Sequence, residues 1–319
     1  MNIQQADQEY IRCPLCGEDQ TRSLFVSRDR LMTISGDFQV VQCEDCDLVY
    51  INPRPTFAAL ARYYPADLPI NNLKPVRENG RLKEKAFVAL TNLYGYYRAR
   101  WIENHVVPLN QATRVLDIGC GSASFLYYLK TRRGCQTSGV DISPTVVQYV
   151  RDRLDIPIYE GVLAEADFEE NSFDLITMWH YIEHELEPAP ALHRARALLK
   201  SDCYLVLETP NIASPVAMLF RNRWSQVHPR HQILYSLETM DKMLARCGFR
   251  IIKAFRAPLA FSFGVSTLFA LGFEGIGKRD SFSVKNLAAS ALLLGLAPVN
   301  ILVNLFTPEC IRVVAQRRT

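Results

Sequence analysis

The chain has 319 residues, of which 49% are apolar and 22% are charged, and its net charge is +3. These values are ordinary for a globular protein with a full core, and the length allows one large and one small domain. A net charge this small does not by itself indicate a nucleic acid partner. Residues 1–7 contain neither a basic nor an apolar run, so we expect no secretory signal and a cytoplasmic location.

Four of the nine cysteines form a CxxC…CxxC pattern near the N-terminus. The two pairs are Cys13 with Cys16 and Cys43 with Cys46. Two such pairs present four thiolates in a tetrahedral array, which suits a structural zinc ion and leaves no open position for a catalytic one. The pattern therefore predicts a zinc ribbon over residues 1–55, a module too small to fold without its metal. A redox-active dithiol is the alternative interpretation of a CxxC pair.

Residues 56–110 are predicted to form a helical linker or cap. A short helix at 57–64 precedes a loop at 65–75 that could lie over a pocket. A longer helix follows at about 81–107, where apolar and aromatic residues recur at spacings of three and four. We interpret this stripe as packing against the domain that follows.

Residues 114–125 are predicted to form a short apolar strand, a glycine turn and the start of a helix. Gly119 and Gly121 let the backbone turn tightly and approach a ligand closely. Ser122 or Ser124 could cap the helix that follows. A second strand at 137–142 ends in an acid, at the position where a ribose diol is bound in such βαβ units.

The rest of the chain alternates strands with helices, which indicates an α/β fold with a doubly wound parallel sheet. Further strands are predicted at 156–160, 173–179, 204–208, 249–255 and 310–315, and helices at 123–131, from Pro144, at 189–199 and at 236–247.

The segment Asp117-Ile-Gly-Cys-Gly121 resembles motif I of class I S-adenosylmethionine (SAM)-dependent methyltransferases. Ser124 replaces the third glycine of the dinucleotide-binding pattern, which favours SAM over NAD. The segments 161–165, 171–184, 208–211 and 228–236 resemble later motifs of the small-molecule members. The cysteine module, ending in Tyr-x-Asn-Pro-Arg-Pro, is similar to that of zinc-bearing members from sugar and polysaccharide pathways.

The resemblance implies a doubly wound, seven-stranded, Rossmann-like methyltransferase sheet over residues 111–319, with SAM as cofactor and structural zinc in the ribbon. An apolar helical insert is expected at about 260–308, before the last strand. The resemblance implies the following cofactor-binding residues: Asp117, Gly119, Gly121, Asp141, Ile142, Glu165 and Trp179. Asp117 and the glycine turn would hold the methionine portion, and Asp141 the ribose hydroxyls. Val162 stands where many relatives carry an acid near the adenine, so Ala164 or Glu165 would contact that base instead.

The tip of the strand at 173–179 is dense in titratable groups where an acceptor should approach the methyl group. The candidate catalytic residues are His180, Tyr181, Glu183 and His184 at this tip, and His231 in a later loop. They would position the acceptor or deprotonate it. A structural role is the alternative for each, and a metal site at His180 and His184 is another.

The apolar insert contains an uncharged run at 287–306, about long enough to cross a bilayer. Pro298 interrupts this run, and the last strand must return to the same side, so we exclude one complete span. Three interpretations stay open for 263–306. It could lie in a membrane interface at the inner face of the membrane, helped by the basic residues Lys278, Arg279 and Lys285. It could instead cover the core, or form the contact of a homodimer.

We therefore predict an enzyme that methylates a small molecule, either a sugar or a lipid-linked or isoprenoid intermediate. An RNA methyltransferase that uses the ribbon for RNA contact is one alternative. Five acidic residues crowd the cysteine pairs and would repel phosphates, which makes a nucleic acid acceptor the weaker hypothesis. A non-catalytic SAM-binding scaffold is the other alternative.

Overall fold

The computed structural model describes residues 7–64, 82–259, 261–276 and 284–318. The N-terminal module consists of β1 (Gln8–Glu9), β2 (Thr21–Arg28), β3 (Asp37–Cys43), β4 (Val49–Ile51), β5 (Arg54–Pro55) and the short helix α1 (Phe57–Leu60). Strands β2, β3 and β4 form an antiparallel meander, and β1 pairs with β5. The predicted ribbon strands are thus present. The predicted loop at 65–75 lies outside the described residues.

The linker contributes one long helix, α2 (Leu82–His105), which packs against the central domain. The contact is made by small and apolar residues: a Cβ on Gly95 would lie 2.6 Å from the Tyr128 side chain, and Ala99 and Ile102 are fully buried. Of the predicted aromatic stripe, Trp101 packs inward, whereas Tyr97 is 63% exposed. The interpretation of the whole stripe as a packing face was therefore only partly right.

The central domain alternates strands and helices as predicted. Its first elements, through the last parallel strand, are β6 (Arg114–Ile118), α3 (Ser124–Arg133), β7 (Gln136–Asp141), α4 (Pro144–Tyr149), β8 (Ile158–Glu160), β9 (Phe173–Trp179), α5 (Pro188–Leu198) and β10 (Leu199–Pro210). After β10 follow α6 (Pro215–Phe220), β11 (Ile233–Leu234), α7 (Leu237–Arg246), β12 (Phe249–Ala257), α8 (Ser262–Ala270), α9 (Val284–Gly295), α10 (Ala297–Phe306) and β13 (Cys310–Arg317).

Within the described residues, seven strands form one sheet in the order β12-β13-β10-β9-β6-β7-β8. The pairs from β10 to β8 are parallel, and β13 runs antiparallel to both of its neighbours. The predicted seven-stranded, doubly wound sheet is confirmed. Buried side chains cover both faces: α2, α3 and α4 pack on one face, and α5, α7 and the ribbon on the other. Such a sheet places its ligand crevice at the carboxyl ends of the parallel strands.

Strand β11 does not belong to the central sheet. It pairs with β4, with Ile233 opposite Tyr50, and so completes a four-stranded sheet with the ribbon. The chain preceding β11 is therefore bound to the N-terminal module, although it follows β10 in sequence. The division of the chain at residues 55 and 110 stays a prediction.

The apolar insert forms three helices, α8, α9 and α10. No single helix in the described ranges is long and apolar enough to cross a membrane. The helices Ala288–Gly295 and Ala297–Phe306 are long and apolar enough only when taken together, and the chain is bent by 47° between them. Of the basic residues expected to assist a membrane contact, Lys278 and Arg279 lie outside the described residues.

Candidate functional site

The glycine turn lies at the carboxyl end of β6. Gly119 has φ of +67°, and a Cβ there would lie 2.5 Å from the Tyr181 ring, so the turn requires glycine. The expected cap of α3 was wrong: neither Ser122 nor Ser124 caps it, because Ala123 occupies the N-cap in the left-handed conformation without a side-chain hydrogen bond. The predicted strand, turn and helix are otherwise present.

The Asp141 carboxylate is fixed at both oxygens by backbone donors. The Gly121 N–H donates to Oδ2 at 2.9 Å, and the Ser143 N–H donates to Oδ1 at 2.9 Å. Each oxygen keeps a second lone pair, which fits the role of accepting from a ribose hydroxyl. Ile142, beside it, is 55% exposed, so its side chain is accessible to a planar ligand. Glu165 lies exposed in the turn Leu163–Glu165 after β8.

Asp117 is buried at the end of β6 and accepts a 2.6 Å hydrogen bond from the Thr177 hydroxyl. Burial raises the pKa of Asp117 to about 7, although the positive charge of Arg98 acts against that rise. A second cation, such as the ammonium group of an amino acid, would be stabilised beside this carboxylate and would keep it ionised. Asp117 therefore fits the predicted contact with the methionine portion of SAM.

Arg98 on α2 is a component of this site that the sequence reasoning missed. Its guanidinium lies 4.0 Å from the ring centroid of Tyr94 and 4.3 Å from that of Trp179. Trp179 is buried, and no described residue accepts a hydrogen bond from its indole N–H. This stacked cation and the unpaired donor both suit an anionic or polar ligand group. The linker helix therefore contributes Arg98 to the surroundings of Trp179.

His180, at the tip of β9, is held between two carboxylates. Its Nδ1 lies 3.4 Å from Glu183 Oε1, and its Nε2 lies 3.1 Å from Glu208 Oε1. Burial alone would lower the pKa of His180, but the two glutamates raise it to about 9. His180 is therefore a cation at neutral pH with both nitrogens engaged, an arrangement that fits a positioning role and disfavours that of a general base.

His184 and His231 are paired differently. His184 Nδ1 lies 2.9 Å from the Arg230 carbonyl oxygen and 3.0 Å from the Tyr64 hydroxyl. His231 Nδ1 lies 2.9 Å from the Gln226 carbonyl oxygen. A carbonyl only accepts, so each Nδ1 carries the proton and each Nε2 keeps a lone pair. Burial lowers the pKa of both rings, which are therefore neutral at pH 7. The ring centroids are 4.6 Å apart.

Glu183 is fully buried beside these two histidines. Glu183 Oε1 forms an ion pair with His180 Nδ1 at 3.4 Å, and no described residue donates a well-formed hydrogen bond to either Glu183 oxygen. Burial alone would raise the pKa of Glu183, but the neighbouring His180 lowers it to about 2. Glu183, His184 and His231 offer ligand atoms within 4.8 Å of one another and so could hold a metal ion. The pair weighed from sequence, His180 and His184, is not brought together in this way.

Tyr181 contacts the glycine turn, and His228 contacts His231. The Tyr181 ring covers Gly119, and its hydroxyl donates to the Glu185 carboxylate, so it supports the glycine turn. His228 was not among the candidates, yet its ring centroid lies 3.9 Å from that of His231. The spacing His-x-x-His at 228–231 was the signal that could have included it.

The segment that carries these two histidines is bound to the ribbon. Arg230 Nη1 lies 3.1 Å from Asp29 Oδ2 and 3.2 Å from the Tyr63 carbonyl oxygen, and both charged side chains are buried. The backbone carbonyl of the same arginine accepts the hydrogen bond from His184 Nδ1. The ribbon therefore fixes the segment that orients His184.

The four ribbon cysteines form a compact cluster, with ligand atoms within 4.8 Å of one another. The sulfur atoms of Cys13 and Cys46 are 3.5 Å apart, as are those of Cys16 and Cys43. A tetrahedral zinc ion with Zn–S bonds of about 2.3 Å requires sulfur separations of roughly 3.8 Å. The cluster is thus compatible with the predicted structural zinc.

A doubly wound seven-stranded sheet, an acid followed by Gly-x-Gly after β6 and an acid at the tip of β7 together define a class I SAM-dependent methyltransferase. Residues 90–254, more than half of the chain, match the model of the family described as "Methyltransferase domain", and the chain belongs to this family.

The chain is similar to several proteins named ubiquinone biosynthesis O-methyltransferase, of which two are described. That of Alkalilimnicola ehrlichii is 32% identical over 116 residues, covering 34% of this chain and 46% of that protein. That of Stutzerimonas stutzeri is 29% identical over 130 residues, covering 39% and 54%. The chain thus spans about half the length of the curated relatives it matches. The crystal structure of the [4+2]-cyclase SpnF is 18% identical, covers 83% of this chain and 97% of its own, and has a TM-score of 0.52, which shows a shared fold.

Proposed function

We propose that this protein transfers the methyl group of SAM to a hydroxyl oxygen of a small-molecule acceptor. The observation that carries the proposal is the neutral His184, whose Nε2 keeps a lone pair. It lies in the segment after β9, three residues beyond Tyr181, whose ring covers the glycine turn. His231 is more deeply buried than His184, so we assign the base to His184 and an orienting role to His231. The names of the relatives support oxygen as the methylated atom.

Bound SAM supplies an electrophilic methyl group on a sulfonium sulfur. Asp117, the Gly119–Gly121 turn and Asp141 would hold SAM, which would give its methyl group to the acceptor oxygen and leave as the neutral thioether. His184 Nε2 takes the hydroxyl proton, while the Nδ1 proton stays on the ring and is donated in a hydrogen bond to the Arg230 carbonyl oxygen. The cationic His180 and the buried Glu183 hold the tip of β9 in position.

The acceptor class we propose is a lipid-linked or isoprenoid intermediate rather than a free sugar. The relatives named for ubiquinone biosynthesis support this choice, and so does the apolar insert beside the segment that carries His228 and His231. The ribbon resemblance to sugar-pathway members supports the sugar alternative.

The test uses the purified protein with methyl-labelled SAM and separated lipid, sugar-nucleotide and RNA extracts. We expect label in the lipid fraction. With the labelled acceptor, His184→Gln should lower kcat by roughly 10²–10⁴-fold without weakening SAM binding, as expected for loss of a general base. The matched control is His193→Gln, an exposed histidine on α5.

Label in RNA would contradict the proposal, and label in sugar nucleotides would reject the acceptor class alone. Activity that survives in the His184 variant would reject the base. Activity that a chelator abolishes while the ribbon zinc is retained would instead assign Glu183, His184 and His231 to a metal.

A further inference from the structure

Helix α10 is polar on its inner side and apolar on its outer side. The Asn300 side chain is buried and accepts from the Gly264 N–H at 3.3 Å, and Asn304 Oδ1 accepts from the Leu259 N–H at 2.8 Å. On the opposite side, Leu305 is 70% exposed and Phe306 is 78% exposed. This arrangement inverts that of a helix on a water-facing surface, whose polar residues face the solvent.

The apolar face continues onto α9. Leu294 is 75% exposed, and the sequence has no charged residue between Lys285 and Glu309. Among the described residues 288–306, Ser290 is the one exposed polar side chain. The nearest acid, Glu309, is fully buried and accepts hydrogen bonds from the Trp224 indole N–H at 2.7 Å and the Ser262 hydroxyl at 2.6 Å. The face therefore carries no negative charge.

Arginines border the insert where α8 meets the rest of the molecule. Arg221 and Arg223 are exposed in the turn that follows α6, and this turn contacts α8 and β2. Arg28 on β2 is exposed too, but its charge is paired with Glu274 at 2.9 Å. The turn with Arg221 and Arg223 contacts α8, which packs against α9 and α10. Positive charge near an uncharged apolar face is complementary to anionic lipid headgroups above acyl chains.

We propose that the exposed face of α9 and α10, with its rim of Arg221 and Arg223, is a docking surface for an anionic phospholipid bilayer. The 47° bend and the inward-facing asparagines fit helices that lie in the interface. A second copy of the chain fits less well. Protein interfaces carry about one hydrogen bond per 100–200 Å², and this face offers Ser290 alone among its described exposed residues.

The docking surface deepens the proposed function, because it would bring the enzyme to an acceptor carried in the bilayer. The insert reaches the acceptor side through one cluster of side chains, in which Phe263 of α8 and Val303 of α10 pack with Val227, next to His228. Docking itself requires no methyl transfer, so the two proposals can fail separately.

The experiment is sedimentation of the full chain with vesicles of phosphatidylcholine alone or mixed with phosphatidylglycerol. We expect binding to the mixed vesicles. The double variant Leu305→Ser/Phe306→Ser should lower the partition coefficient at least about tenfold, since two largely exposed apolar side chains no longer enter the acyl region. Leu237→Ser, at an exposed leucine on α7, is the matched control and should bind like the wild type.

The charged rim is tested by Arg221→Gln/Arg223→Gln, which should weaken binding at low salt and differ little from wild type at high salt. Absence of vesicle binding by the wild type would overturn the proposal, and so would equal losses in the control variant. A wild-type dimer in light scattering that Leu305→Ser/Phe306→Ser converts to a monomer would assign the face to a second copy instead. Methyl transfer to a detergent-dispersed acceptor should persist in all these variants, and its loss would concern the proposed function.

Discussion

The buried ion pair between Asp29 and Arg230 should stabilise the contact between the ribbon and the segment that orients His184. Asp29→Asn removes the carboxylate charge and leaves the Arg230 guanidinium, whose side chain is 4% exposed, with only neutral acceptors such as the Tyr63 carbonyl. Removing one partner of a buried pair typically costs roughly 3–5 kcal/mol, because the remaining charge is desolvated without compensation. We expect a loss of that order in the free energy of unfolding.

The assay is urea unfolding of the wild type, Asp29→Asn, Arg230→Met and the double variant. The double variant should be more stable than the sum of the two single losses predicts, because no unpaired charge remains. Since the Arg230 backbone orients His184, the single variants should also lower kcat while SAM binding is kept. A loss below about 1 kcal/mol for Asp29→Asn, with kcat unchanged, would refute the reasoning that the ribbon fixes this segment.

Three further predictions concern the cofactor turn, the ion pairs of His180 with Glu183 and Glu208, and the ribbon metal. Gly119→Ala should lower SAM affinity at least about tenfold in calorimetry, because a left-handed residue and a Cβ that lies 2.5 Å from Tyr181 are both unfavourable; Gly272→Ala, with φ of +84° and open space, controls for backbone strain alone. The pKa of His180 rises from 6.5 to about 9 on folding, so its stabilisation is complete below about pH 6.5 and is lost as pH rises through about 9. As pH rises from 7 to 9.5, the unfolding midpoint of the wild type should therefore decrease more than that of His180→Gln. Equal decreases would reject a stabilising role for the ion pairs of His180. Chelation or Cys43→Ser should remove one equivalent of zinc in metal analysis and lower the unfolding midpoint; an unchanged midpoint would contradict a structural role for the metal.

Local signals in the sequence were sufficient for the parts of the fold that are built from neighbouring residues. The glycine turn after β6, Asp141 at the tip of β7 and the paired cysteines each lie within a few residues of the elements they define. Their geometry follows from the positions of glycines and the spacing of cysteines, both of which can be identified in the sequence.

The features that were missed depend on contacts between distant segments. Strand β11 is two residues long, and it is a strand only because β4 provides a partner. Arg98 lies on a linker helix, and nothing near it in sequence indicates that it stacks on Trp179. The role of His180 likewise changed, because Glu208 on β10 supplies half of its environment. The predicted cap at Ser122 or Ser124 failed because the turn places Ala123 at the N-cap.

The apolar insert was predicted with three open interpretations, since a run of leucines does not show which side of a helix faces the protein. The buried asparagines of α10 supplied that information. They show which side of α10 faces the protein, and composition alone does not show this.

The pairing of β4 with β11 also has a consequence for the order in which the chain is made. Strand β4 ends at Ile51 and its partner begins at Ile233, so the ribosome releases the ribbon long before the last strand of its sheet exists. During that interval the β4 edge offers unpaired backbone groups to any other chain. We expect a nascent or truncated chain that stops before Ile233 to self-associate through this edge.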